Sequence, residues 1–129
     1  MPDQKPNILF ILTDQQRRDS MRAYGNNWIK TPNLDRLAEK SFVFENTYVT
    51  QPVCTPARAS IMTGLYPFHT GLQRNNIPLN RDIPTIGDMI SDDYYNAHMG
   101  KWHLGDQPPF LPTRQGFDEF FGIPNGHDM

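Results

Sequence analysis

The apolar residues of this chain fall in short runs that polar and proline-rich segments separate. Residues 8–12 are five apolar side chains in succession, a pattern that predicts a strand buried on both faces of a parallel sheet. Residues 42–49 alternate partly and predict a second strand, and residues 94–99 predict a third. Helix signals lie between these strands.

Two of the predicted helices look structural. Thr31 and Pro32 supply a cap residue and a first-turn proline, and the apolar residues that follow share one face. These residues are Leu34, Leu37 and Ala38. Thr85 and Asp88 form a loose capping box that begins a short helix. The residues of this helix that we expect to face inward are Ile86, Met89 and Ile90.

Composition narrows the class of protein. A length of 129 residues suits one domain, and the net charge of −2 gives no basic field, so we expect neither nucleic acid nor a membrane as a partner. Twelve prolines and irregular stretches at 66–84 and 108–112 indicate a loop-rich α/β or α+β protein. The run at 8–12 is too short for a signal-peptide core. As written, the chain is expected to be cytoplasmic, or periplasmic or secreted if an upstream segment has been removed.

The only cysteine precedes a helix predicted over residues 56–63 and ended by Gly64. Cys54 stands two residues before Pro56, and proline favours the first turn of a helix, so Cys54 lies at or just before the N-terminus. Free N–H groups and the helix dipole favour an anion there, and Arg58 adds a positive charge one turn further on. The stretch predicts a reactive side chain in an anion-binding site. The packing residues of this helix are expected to be Ala59, Ile61 and Met62.

Two further segments carry candidate chemistry. Asp14 follows the predicted strand directly, where ligand sites of open α/β sheets lie, although a turn cap would suit it equally well. Lys101 and His103, flanked by glycines, project to the same side if the backbone is extended; the alternative is a surface turn. No metal-site spacing links the other histidines, which we expect to be ordinary surface or packed residues: His69, His98 and His127.

Three pieces together resemble the N-terminal part of the formylglycine-dependent sulfatases, which belong to the alkaline-phosphatase superfamily. They are the strand ending at Asp14, the Cys-x-Pro-x-Arg that begins at Cys54, and the Gly-Lys-Trp-His at 100–103. Asp93 and Asn96 depart from the second signature, where a glycine and a Ser or Thr are usual. The resemblance implies the N-terminal part of an alkaline-phosphatase-like sandwich, an α/β fold with a mostly parallel or mixed central sheet flanked by helices.

The resemblance also implies a chemistry. In this family a separate maturation enzyme reads the Cys-x-Pro-x-Arg motif and oxidises the residue that matches Cys54 to formylglycine, an aldehyde. One hydroxyl of the aldehyde hydrate attacks the sulfur of a sulfate ester and the alcohol leaves; the second hydroxyl then drives the expulsion of sulfate. The implied activity is that of a sulfuric ester hydrolase acting on a small-molecule sulfate ester or a sulfated glycan.

Individual roles follow from the matched positions. A divalent cation, in this family usually calcium, would be bound by three residues: Asp14, Gln15 and Cys54. Gln15 stands where many sulfatases carry a second aspartate. Arg58 would hold the formylglycine hydroxyl, and Lys101 would contact the sulfate and the nucleophile. His103 would hydrogen-bond that hydroxyl and assist proton transfer.

The family's catalytic domain is several times longer than this chain, and its remaining metal ligands come from a later strand. We therefore expect residues 1–129 to be an N-terminal fragment, inactive and marginally folded alone, with the missing C-terminal part as a further partner. Two alternatives stay open. The Asp14-Gln15 opening suits a phosphonate or phosphodiester hydrolase of the same superfamily, and an unmodified Cys54 suits a non-catalytic remnant that binds a partner or an anion. A redox role ranks last because the chain has no second cysteine.

Overall fold

Residues 5–126 are described by the computed structural model and form two compact units, residues 5–47 and 48–126. The first unit contains 3₁₀ turns at Arg18–Ser20 and Arg22–Tyr24 and the helix α1, Pro32–Ala38. The described part of the second unit contains three α-helices, two β-strands and two 3₁₀ turns. In chain order they are α2 (Cys54–Thr63), α3 (Pro67–Thr70), α4 (Ile86–Ile90), β1 (Ala97–Lys101), the turns Pro108–Phe110 and Pro112–Arg114, and β2 (Glu119–Ile123).

The two strands pair in parallel, with Gly100 opposite Gly122. A Cβ atom added to Gly122 would lie 2.0 Å from the carbonyl oxygen of Gly100, so the two backbones can approach this closely only where the side chain is absent. The ladder continues past the strands, because the N–H of Trp102 donates to the carbonyl of Ile123 over 2.9 Å. This pairing fixes the direction of the chain as it leaves β1.

The core of the second unit joins the inner face of α2 to the segment that follows β1. Its buried apolar residues are Ala59, Met62, Leu72, Leu79, Trp102 and Leu104. Trp102 is 1% exposed, and its indole N–H donates to the carbonyl of Phe110 over 2.9 Å, which satisfies the one polar group that its burial removes from water. The core therefore sets α2 against the chain beyond β1.

Asn96 ties α4 to the turn that precedes β2. Its side-chain amide donates to the carbonyls of Gly87 and Gly116, each over 3.1 Å, and the residue is 8% exposed. The Ser or Thr that the resemblance leads one to expect here would bring one hydroxyl proton and could donate only one of these bonds. Gly116 has a φ of +80°, and an added Cβ would lie 2.0 Å from the backbone nitrogen of Asp88. Asn96 thus bonds both backbone segments at the point where they approach each other most closely, at Gly87 and Gly116.

Several predictions from the pattern are confirmed. The helix after Thr31, the helix of the sulfatase-like motif and the helix after Thr85 all form. Helix α2 spans Cys54–Thr63, so it begins two residues before the predicted start, and Gly64, whose φ is +72°, caps its end. The capping box at Thr85 is complete, since the side chains of Thr85 and Asp88 each bond the backbone of the other. The third predicted strand forms as β1, shifted toward the C-terminus, at Ala97–Lys101 rather than 94–99.

Other predictions are wrong. Residues 8–12 and 42–49 form no strand, and the side chains of 8–12 are 40–84% exposed. A strand needs a neighbour for its N–H and C=O groups, and within residues 5–126 the only strand pair is β1 with β2. Ile86 and Met89 of α4 are 48% and 60% exposed rather than inward-facing. Thr31 makes no capping bond; its hydroxyl instead donates to Asp35. Within the stretch predicted irregular, residues 67–70 form α3.

Across residues 5–126, no helix has the length and apolar character needed to cross a membrane.

His98 is half-buried among aromatic rings at the edge of the core, as the prediction of a surface or packed histidine allows; His127 lies outside the described residues. The His98 ring makes edge-on contacts with Trp102 and Phe117 at centroid distances of 5.2 and 5.4 Å, and lies 5.8 Å from Phe120. Burial lowers the pKa of His98, and the positive charge of Arg58 acts in the same direction, while a hydrogen bond to the Lys101 carbonyl opposes both. The neutral imidazole is therefore the form that the fold favours.

Replacing Asn96 by Thr should lower the free energy of unfolding by about 1–3 kcal/mol, because one of two buried carbonyls loses its donor. Urea unfolding followed by circular dichroism measures the change. Asn46→Thr, at an exposed position, is the matched control and should shift the unfolding free energy by less than about 0.5 kcal/mol. Equal effects of the two substitutions would contradict the role of the Asn96 amide.

The stability of the chain should fall as pH is lowered below about 6.5, the ordinary pKa of histidine. Below that pH the unfolded chain binds a proton at His98 that the folded chain resists, since the folded-state pKa is lowered. The stabilisation is thus complete above the unfolded pKa and is lost as pH falls toward the folded one. The basic residues near the ring are Arg58, whose charge lowers the pKa of His98, and Lys101, whose carbonyl lies 3.3 Å from Nε2 of the ring.

Urea midpoints between pH 7.5 and 5 check this prediction. The His98→Phe variant, which cannot titrate at this position, should show a shallower decline than the parent. Only the slopes are compared, because the substitution also changes packing at every pH. Parallel slopes would show that His98 titrates as an ordinary exposed histidine.

Candidate active site

The N-terminus of α2 is held by side-chain and backbone bonds around Thr55. Its backbone N–H donates to Oδ1 of Asn75 over 3.0 Å, and its hydroxyl donates to the carbonyl of His103 over 3.0 Å. Thr55 is fully buried, and Pro56 follows it in the first turn. These bonds place Cys54, the first residue of the helix, beside the chain that leaves β1.

Lys101 contacts Cys54 directly. It is the last residue of β1, and its Nζ donates to Sγ of Cys54 over 3.4 Å. Cys54 is half-buried, so an ammonium group faces the sulfur of the only cysteine in the sequence. A positive charge at this distance attracts an anionic group that approaches position 54.

Arg58 lies one turn after Cys54 and is 8% exposed. Its Nη1 donates to the main-chain carbonyl of Lys101. Lys101 therefore meets α2 at two points, through its side chain at Cys54 and through its backbone at Arg58. The arrangement brings two fixed positive charges to the first turns of a ten-residue helix.

His103 is 7% exposed and has a φ of +60°. Its N–H donates to the carbonyl of Pro124 over 3.0 Å, and its ring packs so closely on Gly126 that an added Cβ there would lie 3.2 Å from the imidazole. The residue lines a cavity of about 240 Å³ together with polar and aromatic side chains. These include Asn76, Asp106, Phe110 and Asn125.

Left-handed backbone at residues other than glycine occurs at two of the predicted site residues and at one residue that lines the cavity beside His103. Within residues 5–126 such conformations occur at Gln15, Asn76 and His103, with φ values of +55°, +63° and +60°. Each costs free energy that the surrounding contacts must offset, and such residues cluster at functional sites. Gln15 and His103 were predicted site residues, and Asn76 lines the cavity beside His103.

The structure brings together four of the predicted site residues within the second unit: Cys54, Arg58, Lys101 and His103. Asp14 and Gln15 lie in the first unit, in a bend that follows residues 8–12. The sequence analysis did not predict that Thr55 and Asn75 would hold the start of the helix. Nor did it predict the contact of His98, whose Nε2 lies 3.3 Å from the Lys101 carbonyl. Thr55 is 20 residues from Asn75 and 48 residues from His103 in the sequence, so no local pattern predicts these two hydrogen bonds.

The described residues do not form a complete metal site. Calcium takes six to eight oxygen ligands, whereas Asp14 and Gln15 offer one carboxylate and one amide. In the part of the chain from 5 to 126, no group of three or more His, Cys, Asp or Glu side chains is arranged to hold a metal ion. The residues present thus do not fit a calcium ion by themselves, and an ion at this position would need further ligands.

Comparison with known proteins gives one family. The family model described as Sulfatase matches residues 6–129. The chain is 36% identical to human N-acetylgalactosamine-6-sulfatase, over 96% of this chain and 26% of that protein. It is 43% identical to mouse arylsulfatase J, over 92% of this chain and 21% of that protein. The chain thus spans about a quarter of the length of these curated relatives.

Solved structures agree with this result. Ps i-CgsB superposes with a TM-score of 0.91 at 38% identity, over 95% of this chain and 29% of that one. BT4656, solved with its substrate D-glucosamine-2-N,6-O-disulfate, gives a TM-score of 0.79 at 36% identity, over 91% of this chain and 23% of that one. A phosphonate monoester hydrolase of Agrobacterium radiobacter gives 0.70 at 26% identity, over 89% and 25%.

These likenesses confirm the predicted α/β fold of the alkaline-phosphatase-like type. The Cys-x-Pro-x-Arg motif stands at the start of α2, and Lys101 of the second signature contacts its cysteine. The two motifs therefore meet, as the resemblance led us to expect. Motif, fold and relatives agree, and the chain belongs to the Sulfatase family.

Proposed function

We propose that this chain supplies the nucleophile-bearing part of a site that hydrolyses sulfate esters. The observation that carries the proposal is the 3.4 Å contact between Nζ of Lys101 and Sγ of Cys54 at the start of α2, with Arg58 one turn further on. Two cationic side chains thus lie within the first turns of the helix that begins at position 54, and one of them contacts that position. Such a site suits a dianionic or monoanionic ester group that gains charge at its oxygens during transfer.

Within this proposal Cys54 is the precursor of formylglycine, whose hydrate would supply the attacking hydroxyl. Lys101 would contact the sulfate oxygens and the nucleophile. Arg58 would hold the hydroxyl, and its buried guanidinium is already oriented by the Lys101 carbonyl. His103 is assigned to proton transfer, since imidazole changes charge near neutral pH.

The cofactor remains part of the proposal. A divalent cation, in the family usually calcium, would take oxygen ligands from Asp14 and Gln15, with further ligands from outside residues 5–126. Position 54 would add an oxygen once the cysteine is converted. What this chain contributes through its own contacts is the cationic site at Cys54.

We further propose a sulfated sugar as the substrate class. The cavity of about 240 Å³ beside His103 is lined by carboxamide and carboxylate groups and by Phe110, a combination that suits the hydroxyls and the apolar face of one sugar ring. BT4656, a structural relative, was solved with a sulfated glucosamine. The proposed partners are thus the sulfated sugar, the maturation enzyme and the rest of the catalytic domain.

Co-expression with a formylglycine-generating enzyme should lower the mass of the tryptic peptide containing Cys54 by about 18 Da, because the thiol is lost and an aldehyde is gained. Peptide mass spectrometry measures the conversion. Arg58→Lys, which breaks the motif while keeping the charge, should abolish it, and Cys54→Ala is the blank. A thiol that stays unmodified in the parent chain would favour the non-catalytic remnant.

In the unmodified chain, the cationic site at Cys54 should speed alkylation by an anionic reagent, iodoacetate, relative to alkylation by its neutral analogue, iodoacetamide. The ratio of the iodoacetate rate to the iodoacetamide rate at Cys54 cancels the thiolate fraction and reports the local potential. We expect this ratio in the folded chain to exceed that in the urea-unfolded chain by about three- to tenfold, on the basis of a unit charge close to a half-buried sulfur.

Lys101→Met should bring the ratio close to that of the unfolded chain, whereas Lys40→Met, at an exposed position of the first unit, should leave it unchanged. Since the chain has a single cysteine, all alkylation is at this position. An unchanged ratio in Lys101→Met would contradict the proposed anion site.

A second candidate is hydrolysis of phosphonate or phosphate esters. The Asp14-Gln15 opening and the likeness to a phosphonate monoester hydrolase favour it. In a protein that joins this chain to the remainder of the domain, the rates on an aryl sulfate and an aryl phosphonate monoester should be compared. We expect the sulfate to be preferred, since the curated relatives N-acetylgalactosamine-6-sulfatase and arylsulfatase J are sulfatases.

A further inference from the structure

We propose that His98 is a positioning residue for the anion site at Cys54. Its Nε2 lies 3.3 Å from the carbonyl oxygen of Lys101, the same oxygen that accepts the bond from Arg58. Holding this carbonyl fixes the backbone of the residue whose ammonium group faces Cys54. The inference rests on the proposed function, because it concerns the residues that would bind the sulfate.

The ring of His98 has little freedom to turn. Trp102 and Phe117 contact it edge-on with interplanar angles of 79° and 72°, and Phe120 lies opposite it in the register of β1 and β2. Rings at centroid distances of 5.2 to 5.8 Å restrict rotation about the side-chain bonds. The aromatic cluster thereby directs one nitrogen at the carbonyl.

The bond requires a particular proton arrangement. A carbonyl oxygen only accepts, so Nε2 of His98 must carry the proton, and in the neutral ring Nδ1 then carries none. The neutral form is also the one favoured by burial and by the nearby charge of Arg58. One carbonyl thus takes a neutral donor from the β1 side and a cationic donor from α2.

The consequence for the site is geometric. Lys101 is the last residue of β1, and beyond it the chain turns toward His103, whose φ is +60°. A displacement of Lys101 that moved its carbonyl would break the bond with the guanidinium of Arg58, and it would also move the side chain that reaches Cys54. With His98 bonded, the Lys101 ammonium stays beside position 54 and the Arg58 guanidinium stays on the Lys101 carbonyl before any substrate arrives, which is the preorganisation that electrostatic stabilisation requires.

Two substitutions separate this role from simple packing. His98→Phe keeps an aromatic ring among Trp102, Phe117 and Phe120 but has no donor. His98→Gln loses the aromatic packing but carries an amide N–H₂ at about the reach of Nε2. If the hydrogen bond matters, Phe should impair the site more than Gln, although Gln should be the less stable of the two. A residue that acts only through packing would give the same order for both properties.

The readout is the ratio of iodoacetate to iodoacetamide rates at Cys54 in the 129-residue chain, which requires neither turnover nor formylglycine. We expect His98→Phe to lower this ratio about two- to fivefold, as for a unit charge displaced by a few ångströms near a half-buried sulfur, and His98→Gln to stay within about twofold of the parent. Urea unfolding gives the stability of each variant.

The outcomes separate the two proposals. A raised ratio in the parent with no change in His98→Phe, or with an equal fall in both variants, overturns the role of His98 and leaves the anion site standing. A parent ratio no higher than that of the urea-unfolded chain overturns the anion site, and the positioning role of His98 with it. A fall in His98→Phe that His98→Gln does not share supports the inference.

Discussion

The carbonyl oxygen of Lys101 is the point at which the candidate site is joined. It accepts from the guanidinium of Arg58 on α2 and contacts the imidazole of His98 on β1, while the side chain of the same residue reaches Sγ of Cys54. A buried guanidinium needs acceptors for its protons, and a main-chain carbonyl satisfies one of them without neutralising the charge. This bond thus lets Arg58 be buried while its positive charge acts on the first turns of α2.

This junction depends on close backbone packing further along β1. Gly122 lies against Gly100 where a Cβ would be 2.0 Å from the carbonyl oxygen, and Gly116 lies against Asp88 with a φ of +80°. At the contact of Gly116 with Asp88, the side-chain amide of Asn96 donates two hydrogen bonds, whereas a hydroxyl could donate only one. Strand β1 is thus held near both of its ends, by Asn96 before its first residue and by Gly122 at Gly100, which gives its last residue a defined position relative to the helix.

Local physical rules predicted the parts of the chain whose contacts are local. The start of α2 at Cys54 and its end at Gly64 follow from a first-turn proline and a left-handed glycine, and the capping box at Thr85 formed as its residue types indicate. The strands expected at 8–12 and 42–49 failed for the opposite reason. Apolar runs indicate a capacity for burial, but a strand forms only where another strand bonds it, and residues 5–126 pair only β1 with β2.

The amino-acid sequence by itself indicated the family and the position, Cys54, that we propose to be reactive. The Cys and Arg of the Cys-x-Pro-x-Arg motif are four residues apart, about one helical turn, so helix formation alone brings Arg58 near Cys54. Only the tertiary structure decided that Lys101, 47 residues away, faces the sulfur, and that His98 and Arg58 share its carbonyl. Contacts over such separations depend on the parallel pairing of β1 with β2 and on the core between α2 and Trp102, which no short-range pattern encodes.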